Sequence, residues 1–153
     1  IFMMKWLADR GVDYIEQPIE EGNEQDLKHL YHNRPLPIYI DESCRYAEDV
    51  AKWASHIDGV NMKLMKCGGI TEALKIIKSA KHYKLKTMIG CMSESSIAIA
   101  AAASISGMID HIDLDSHYNL NPDPSSGVKM IDGVTIPDLV PGHGGILKPE
   151  YYA

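Results

Sequence analysis

Cysteine is scarce in this chain of 153 residues, and basic charge is outnumbered by acidic. Cys44, Cys67 and Cys91 are odd in number and show no C-x-x-C spacing, which argues against a disulfide framework and against a zinc finger. Lys and Arg total 15 against 21 Asp and Glu, a net charge of −6, so no clustered basic surface invites nucleic acid. No apolar run approaches the ~18 residues of a membrane span, and no membrane contact is expected. The seven His residues are scattered without metal-binding spacing, and the eight Met residues read mostly as core filler. What remains, at 45% hydrophobic and 24% charged, is the composition of a globular domain. A reduced, cytoplasmic α/β protein is the expectation.

Five strand-like apolar runs punctuate the chain: Val12–Ile15, Pro37–Ile40, Gly59–Met62, Lys86–Ile89 and His111–Leu114. Their ends carry Glu16, Asp41, Lys63, Gly90 and Asp115, at spacings of 25, 22, 27 and 25 residues. Helical periodicity fills the gaps at Glu24–Tyr31, Ala47–Ser55, Thr71–Tyr83 and Ser95–Ser106. Asn23 and Thr71 are candidate caps for the first and third of these helices. The fourth, with Ile97, Ile99 and Ala100–Ala103, is small and apolar almost all round and suits a buried position. Ile1–Gly11 reads as a helix already under way. After Asp115 the pattern stops. Asn121–Pro149 holds five prolines and five glycines, with one strand-like stretch at Val128–Ile136, and breakers at that density exclude a long helix.

Alternating strand and helix implies a parallel sheet, since parallel neighbours need a crossover. An open doubly wound sheet and a section of a (β/α)8 barrel both satisfy the pattern. Either architecture gathers its chemistry at the carboxyl ends of the strands. Glu16 and Asp41 there could offer oxygen ligands to a hard cation such as Mg²⁺. Lys63 on the next strand would feel that cation, and burial would add to it, lowering its pKa towards that of a general base. Asp113 and Asp115 share one strand face, an arrangement that is costly unless positive charge sits between them. Each residue also has a plain structural reading. Glu16 can be a strand terminus, Asp41-Glu42-Ser43 a capping turn, Lys63 or Lys66 a solvated lysine, Cys91 a wall residue and Gly68-Gly69 a tight turn. Taken together, acid, acid, base and acid pair on successive strands favour a functional site.

The motifs YIEQP (Tyr14–Pro18), IDES (Ile40–Ser43), NMKLMKCGGI (Asn61–Ile70), GCMSES (Gly90–Ser95) and DLD (Asp113–Asp115) resemble the carboxyl-terminal part of the enolase superfamily, muconate-lactonising subgroup. The final D-x-D is similar to that of dipeptide epimerases of the alanyl-glutamate type. The resemblance implies the carboxyl-terminal portion of a (β/α)7β TIM-type barrel. Residues 1–120 would then be barrel strands 4–8 with their helices, and 121–153 an irregular segment docking on a capping domain. The capping domain and first strands would belong to a missing amino-terminal half of the same enzyme.

The same resemblance implies Mg²⁺ as cofactor with Glu16 and Asp41 as ligands, and Lys63 as acid/base. It makes Cys91 and Ser93 substrate-wall residues, and Asp113 and Asp115 the holders of a dipeptide's α-ammonium. The implied reaction is epimerisation by α-proton abstraction through an ene-diolate. Alternatives are o-succinylbenzoate synthesis or muconate cycloisomerisation on the same scaffold, or a non-enzymatic five-stranded regulatory domain phosphorylated at Asp41. A homo-oligomer is a possible assembly, since exposed barrel helices often support symmetric ones.

Overall fold

A computed structural model describes residues 1–152. Its centre is a five-stranded sheet, β1 (Ile15–Glu16), β2 (Ile38–Ile40), β3 (Gly59–Met62), β4 (Lys86–Ile89) and β5 (His111–Ile112), all parallel and in simple chain order. A doubly wound sheet reverses its strand order at a switch point, and this one does not. In a flat sheet β1 and β5 would stand about 19 Å apart, four spacings of roughly 4.8 Å. Here the Tyr14 ring beside β1 and the His111 ring of β5 have centroids 4.9 Å apart, and Tyr39 of β2 stacks on Tyr14 at 4.3 Å. The sheet therefore curls until its outer strands meet through aromatic rings on the concave side. It is part of a barrel, and the doubly wound regulatory reading is set aside.

The helices are α1 (Phe2–Ala8), α2 (Leu27–Asn33), α3 (Ala47–Trp53), the one-turn α4 (Leu64–Cys67), α5 (Ile70–His82) and α6 (Ser96–Ala103). In α5 the buried residues are Ala73, Ile76, Ile77 and Ala80, spaced for one helical face. Each of the two isoleucines contributes about 1.5–3 kcal/mol by leaving water. That face joins Ile38, Ile40, Val60, Met62 and Ile89 in one core. β2 and β3 are buried along their whole length, as strands covered on both faces must be. No residue of α6 is exposed, in keeping with its small apolar composition.

Several local expectations need correction. The Asn23 side chain turns back to Glu20 at 3.4 Å instead of forward onto the helix. Thr71 lies inside α5, whose cap is Gly69. The first strand is displaced to Ile15–Glu16, because the Ile15 amide pairs with the Pro37 carbonyl at 2.9 Å. Val128–Ile136 is two strands: β7 (Val128–Ile131) and β8 (Val134–Pro137) form an antiparallel hairpin. Asp132 and Gly133 turn it with φ of +50° and +79°, the left-handed pair that a two-residue hairpin turn requires. Before it, β6 (Ser125–Ser126) pairs with β9 (Ile146–Leu147).

This tail docks on α6. Asp123 accepts from the Ser96 amide at 2.9 Å and from its hydroxyl at 2.5 Å, and Ser125 Oγ accepts from the Ile97 amide at 2.9 Å. The helix thus has its first amides satisfied from a distant segment instead of by Ser95. No helix among the described residues is long and apolar enough to cross a membrane.

Candidate active site

Parallel pairing runs one residue past the strands, where the amides of Gln17, Gly90 and Asp113 donate to the carbonyls of Tyr39, Met62 and Ile89 at 2.8–2.9 Å. The carboxyl ends of the strands are thereby held in register. Side chains alternate along a strand, so Glu16, Asp41, Asn61, Lys63 and Gly90 come to one end of the barrel. Lys63 Nζ donates to Asp41 Oδ2 at 2.6 Å, and Asn61 Nδ2 donates to Glu16 Oε1 at 2.7 Å. The expected acid, acid and base are in one cluster.

Lys66 belongs to it as well. The turn of α4 begins at Lys63, whose carbonyl accepts from the amides of Lys66 and Cys67, and it ends at Gly68 in the left-handed region with φ +84°. Three residues on, Lys66 is folded back over the strand ends. Its Nζ meets both Oδ1 and the main-chain carbonyl of Asp41, and the Asn61 carbonyl at 3.1 Å. Asp41 therefore has one lysine on each carboxylate oxygen. Gly68 is a turn residue, as its plain reading suggests.

Charge follows from this crowding. Burial works to raise the Asp41 carboxyl, but the hydrogen bonds from Lys63 and Lys66 outweigh it and hold its pKa below the usual carboxylate range. Burial dominates at Glu16 and, with the neighbouring Asp41, lifts it above the usual value despite the bond from Asn61. Burial alone would lower the Lys63 ammonium, yet the hydrogen bond and charge of Asp41, with Glu16 and Glu42, raise it. The carboxylates beside Lys63 thus favour its ammonium, whereas the expected lowering concerns Lys63 beside a bound cation. The Tyr14 hydroxyl is raised by burial and then by the charges of Glu16, Asp113 and Asp13.

The remaining expected residues make no side-chain hydrogen bond or ion pair to this cluster among the described residues. Cys91 is half-buried, Ser93 is exposed, and Asp113 and Asp115 are exposed on either side of the buried Leu114. β5 ends at Ile112, so the two aspartates lie in the irregular segment beyond it, and the shared strand face expected for them is not formed. Sequence reasoning gave no role in the site to three residues here: Asn61, Lys66 and Gln17. Asn61 sits two residues before Lys63 on the same strand, so the period of two would have found it.

The donor set suits a hard cation. Glu16 and Asp41 supply carboxylate oxygens, the ligands Mg²⁺ prefers, and Mg²⁺ commonly takes only one or two protein carboxylates. Among the described residues no group of three or more His, Cys, Asp or Glu converges. Asn61 Oδ1 is buried beside the pair with no hydrogen-bond partner, a cost of about 1–3 kcal/mol. A buried acceptor without a partner beside two carboxylates fits a cation site.

The sequence matches the Enolase C-terminal domain-like family over residues 1–151. It is 68% identical over 151 residues to a hydrophobic dipeptide epimerase of Flavobacteria bacterium (strain MS024-2A), covering 99% of this chain and 43% of that protein. Among solved structures, a dipeptide epimerase from Enterococcus faecalis V583 complexed with Mg and the dipeptide L-Leu-L-Tyr is similar at a TM-score of 0.87 and 33% identity, over 95% of this chain and 43% of that one. A dipeptide epimerase from Cytophaga hutchinsonii complexed with Mg and D-Ala-L-Val superposes at a TM-score of 0.91 with 25% identity, over 98% and 43%. The chain thus spans less than half the length of these relatives.

Proposed function

This chain belongs to the enolase C-terminal domain-like family, and from that premise we propose that it is the catalytic barrel part of a Mg²⁺-dependent dipeptide epimerase. The observation that carries this reading is the Glu16–Asp41–Lys63 cluster at the carboxyl ends of the strands, with the exposed Asp113–Asp115 pair just past the end of β5. The whole enzyme's activity, its dipeptide substrate and its cytoplasmic location belong to this proposal. So do an amino-terminal half that completes the site and a docking role for residues 121–153 on a capping domain.

Glu16 and Asp41 would hold the Mg²⁺, which when bound supplies positive charge against the ene-diolate created by loss of the α-proton. Lys63 would serve as the acid/base, its Nζ now on Asp41 Oδ2, the oxygen that Lys66 does not occupy. Lys66 is not a second base, because its ammonium is committed to three fixed oxygens of Asp41 and Asn61. A proton returned to the opposite face of the substrate would come from a group outside this chain. Asp113 and Asp115, exposed and unpaired with any cation in the salt bridges of the described residues, are free to receive an α-ammonium. Cys91 and Ser93 would form the neighbouring wall.

Muconate cycloisomerisation and o-succinylbenzoate synthesis share the ene-diolate but bring no ammonium to the site. The acidic pair therefore favours a dipeptide. The deciding experiment is exchange of the substrate α-proton with deuterated solvent in the full-length protein carrying Lys63→Ala. Loss of exchange with at least one epimer is expected, and exchange of both at wild-type rates would refute the role of Lys63.

A further inference from the structure

Gln17 lies between the two carboxylate-bearing strand ends and adopts a backbone conformation that its sequence disfavours. Its φ is +39°, in the left-handed region that glycine and asparagine tolerate and glutamine rarely enters. Pro18 follows it, and a residue before proline ordinarily sits in extended backbone. A conformation opposed on two counts persists only where surrounding contacts over-determine it.

Those contacts are made by the side-chain amide, and they run to the other carboxylate's loop. Gln17 Oε1 accepts from the Asp41 amide at 2.8 Å and, at 3.5 Å, from the Ser43 amide. Nε2 donates to Ser43 Oγ at 2.8 Å and to the Ile19 carbonyl at 2.7 Å. Ser43 Oγ in turn donates to Glu24 Oε1 at 2.8 Å, and that oxygen also takes the Gly22 amide at 3.0 Å. The residue directly after Glu16 therefore grips the main chain of Asp41, and a polar chain through Ser43 and Glu24 braces the grip against the next loop.

We infer that Gln17 is the positioning residue that fixes Glu16 and Asp41 relative to each other for divalent-cation binding. The left-handed turn sets the direction in which the chain leaves Glu16, and the amide bridge ties that turn to Asp41. Groups that orient ligands without touching the metal typically govern its affinity about 10- to 100-fold. The inference rests on Glu16 and Asp41 being the cation ligands.

The test uses the full-length protein and Mg²⁺ itself. Binding is measured by calorimetry and the bound-ion line shape by Mn²⁺ electron paramagnetic resonance. Gln17→Leu keeps the size but removes the amide. Gln17→Asn keeps the amide and suits the left-handed backbone, but is one methylene too short to reach Asp41. Val50→Ala, in the core away from the site, serves as a control for lost stability. Both Gln17 variants are expected to bind Mg²⁺ at least tenfold more weakly and to alter the Mn²⁺ spectrum, while Val50→Ala changes only the melting temperature. Wild-type affinity in either Gln17 variant, or equal weakening in Val50→Ala, would overturn the inference. Wild-type affinity in Glu16→Gln would instead overturn the assignment of the ligand beneath it.

Discussion

Lys66 contacts Asp41 twice, through the carboxylate Oδ1 and through the main-chain carbonyl, whereas Lys63 contacts the same residue once, at Oδ2. The two lysines of one short motif thus do different work. One is bound to the fold at several points, and the other is held by a single bond at the oxygen left over. Their side chains are similarly shielded, at 11% and 14% exposure, so the difference lies in partners and not in burial.

Lys66→Met should therefore cost more stability than Lys63→Met. Removing Lys66 takes the donor from Asp41 Oδ1 and one donor from the Asp41 carbonyl, which keeps the Cys44 amide, and breaking a buried pair in this way costs about 3–5 kcal/mol. Removing Lys63 leaves Asp41 still paired. Urea unfolding of both variants measures the difference, and equal costs would show that Lys66 is not the fixed partner. Proton exchange should follow the opposite order, with Lys63→Met losing it outright.

The metal-free protein should become more stable when Glu16 is replaced by Gln. Burial holds the folded pKa of Glu16 above its ordinary value, so at neutral pH the folded state carries an ionised group more reluctantly than the unfolded chain does. That cost is present above the folded pKa and fades as pH falls through it. Asp41 runs the other way. Burial opposes its charge, but the two lysines hold its pKa down, so its contribution is present above the ordinary carboxylate range and is lost as pH falls through the folded value. Urea titrations in EDTA at pH 7 and pH 4.5 should show Glu16→Gln gaining stability at pH 7 with a smaller gain at pH 4.5. Asp41→Asn should lose stability at pH 7. The same Glu16 variant should bind Mg²⁺ poorly, the expected trade between a poised site and a stable one.

The strand ends could be read from the sequence because one physical rule governs them. A parallel sheet with a near-constant period brings its carboxyl-terminal residues to one rim, and Glu16, Asp41 and Lys63 obey it. Asn61 obeys it too, at a distance of two residues from Lys63. The contacts of Gln17 and Lys66 were not legible, since they run to main-chain and side-chain atoms around Asp41, which leave no mark in residue spacing. The hairpin at Asp132–Gly133 was hidden for a different reason. A count of prolines and glycines records that helices are excluded, but only the Asp-Gly dipeptide between alternating residues specifies a two-residue turn.

Asp115→Asn should discriminate between substrates by their charge. The acidic pair is exposed in the segment that follows β5, where an ammonium can reach it. Loss of one charge-assisted hydrogen bond, about 1.5–3 kcal/mol, corresponds to roughly 10- to 100-fold in KM for dipeptides. Desamino analogues should lose far less. Steady-state kinetics with matched pairs of substrates supply the comparison, and equal losses would remove the ammonium from the assignment.

Gly90→Ala should harm catalysis through the cluster without touching any of its charges. A Cβ at position 90 would stand 2.9 Å from Asn61 Nδ2, 3.0 Å from Asn61 Oδ1 and 3.1 Å from Lys63 Cε. Asn61 is buried and bonded to Glu16, so it cannot swing away without releasing that carboxylate. Lys63 can yield at its flexible end, and doing so moves Nζ from its place on Asp41. Overpacking of this kind costs about 1–3 kcal/mol of stability. Misplacement of the base by about 1 Å is worth on the order of 10²-fold in rate. The expected result is a kcat lowered by about that factor, in a protein that remains folded by circular dichroism. An unchanged kcat would mean that the β4 end has room the static geometry does not show, and that Asn61 and Lys63 hold their positions independently of Gly90.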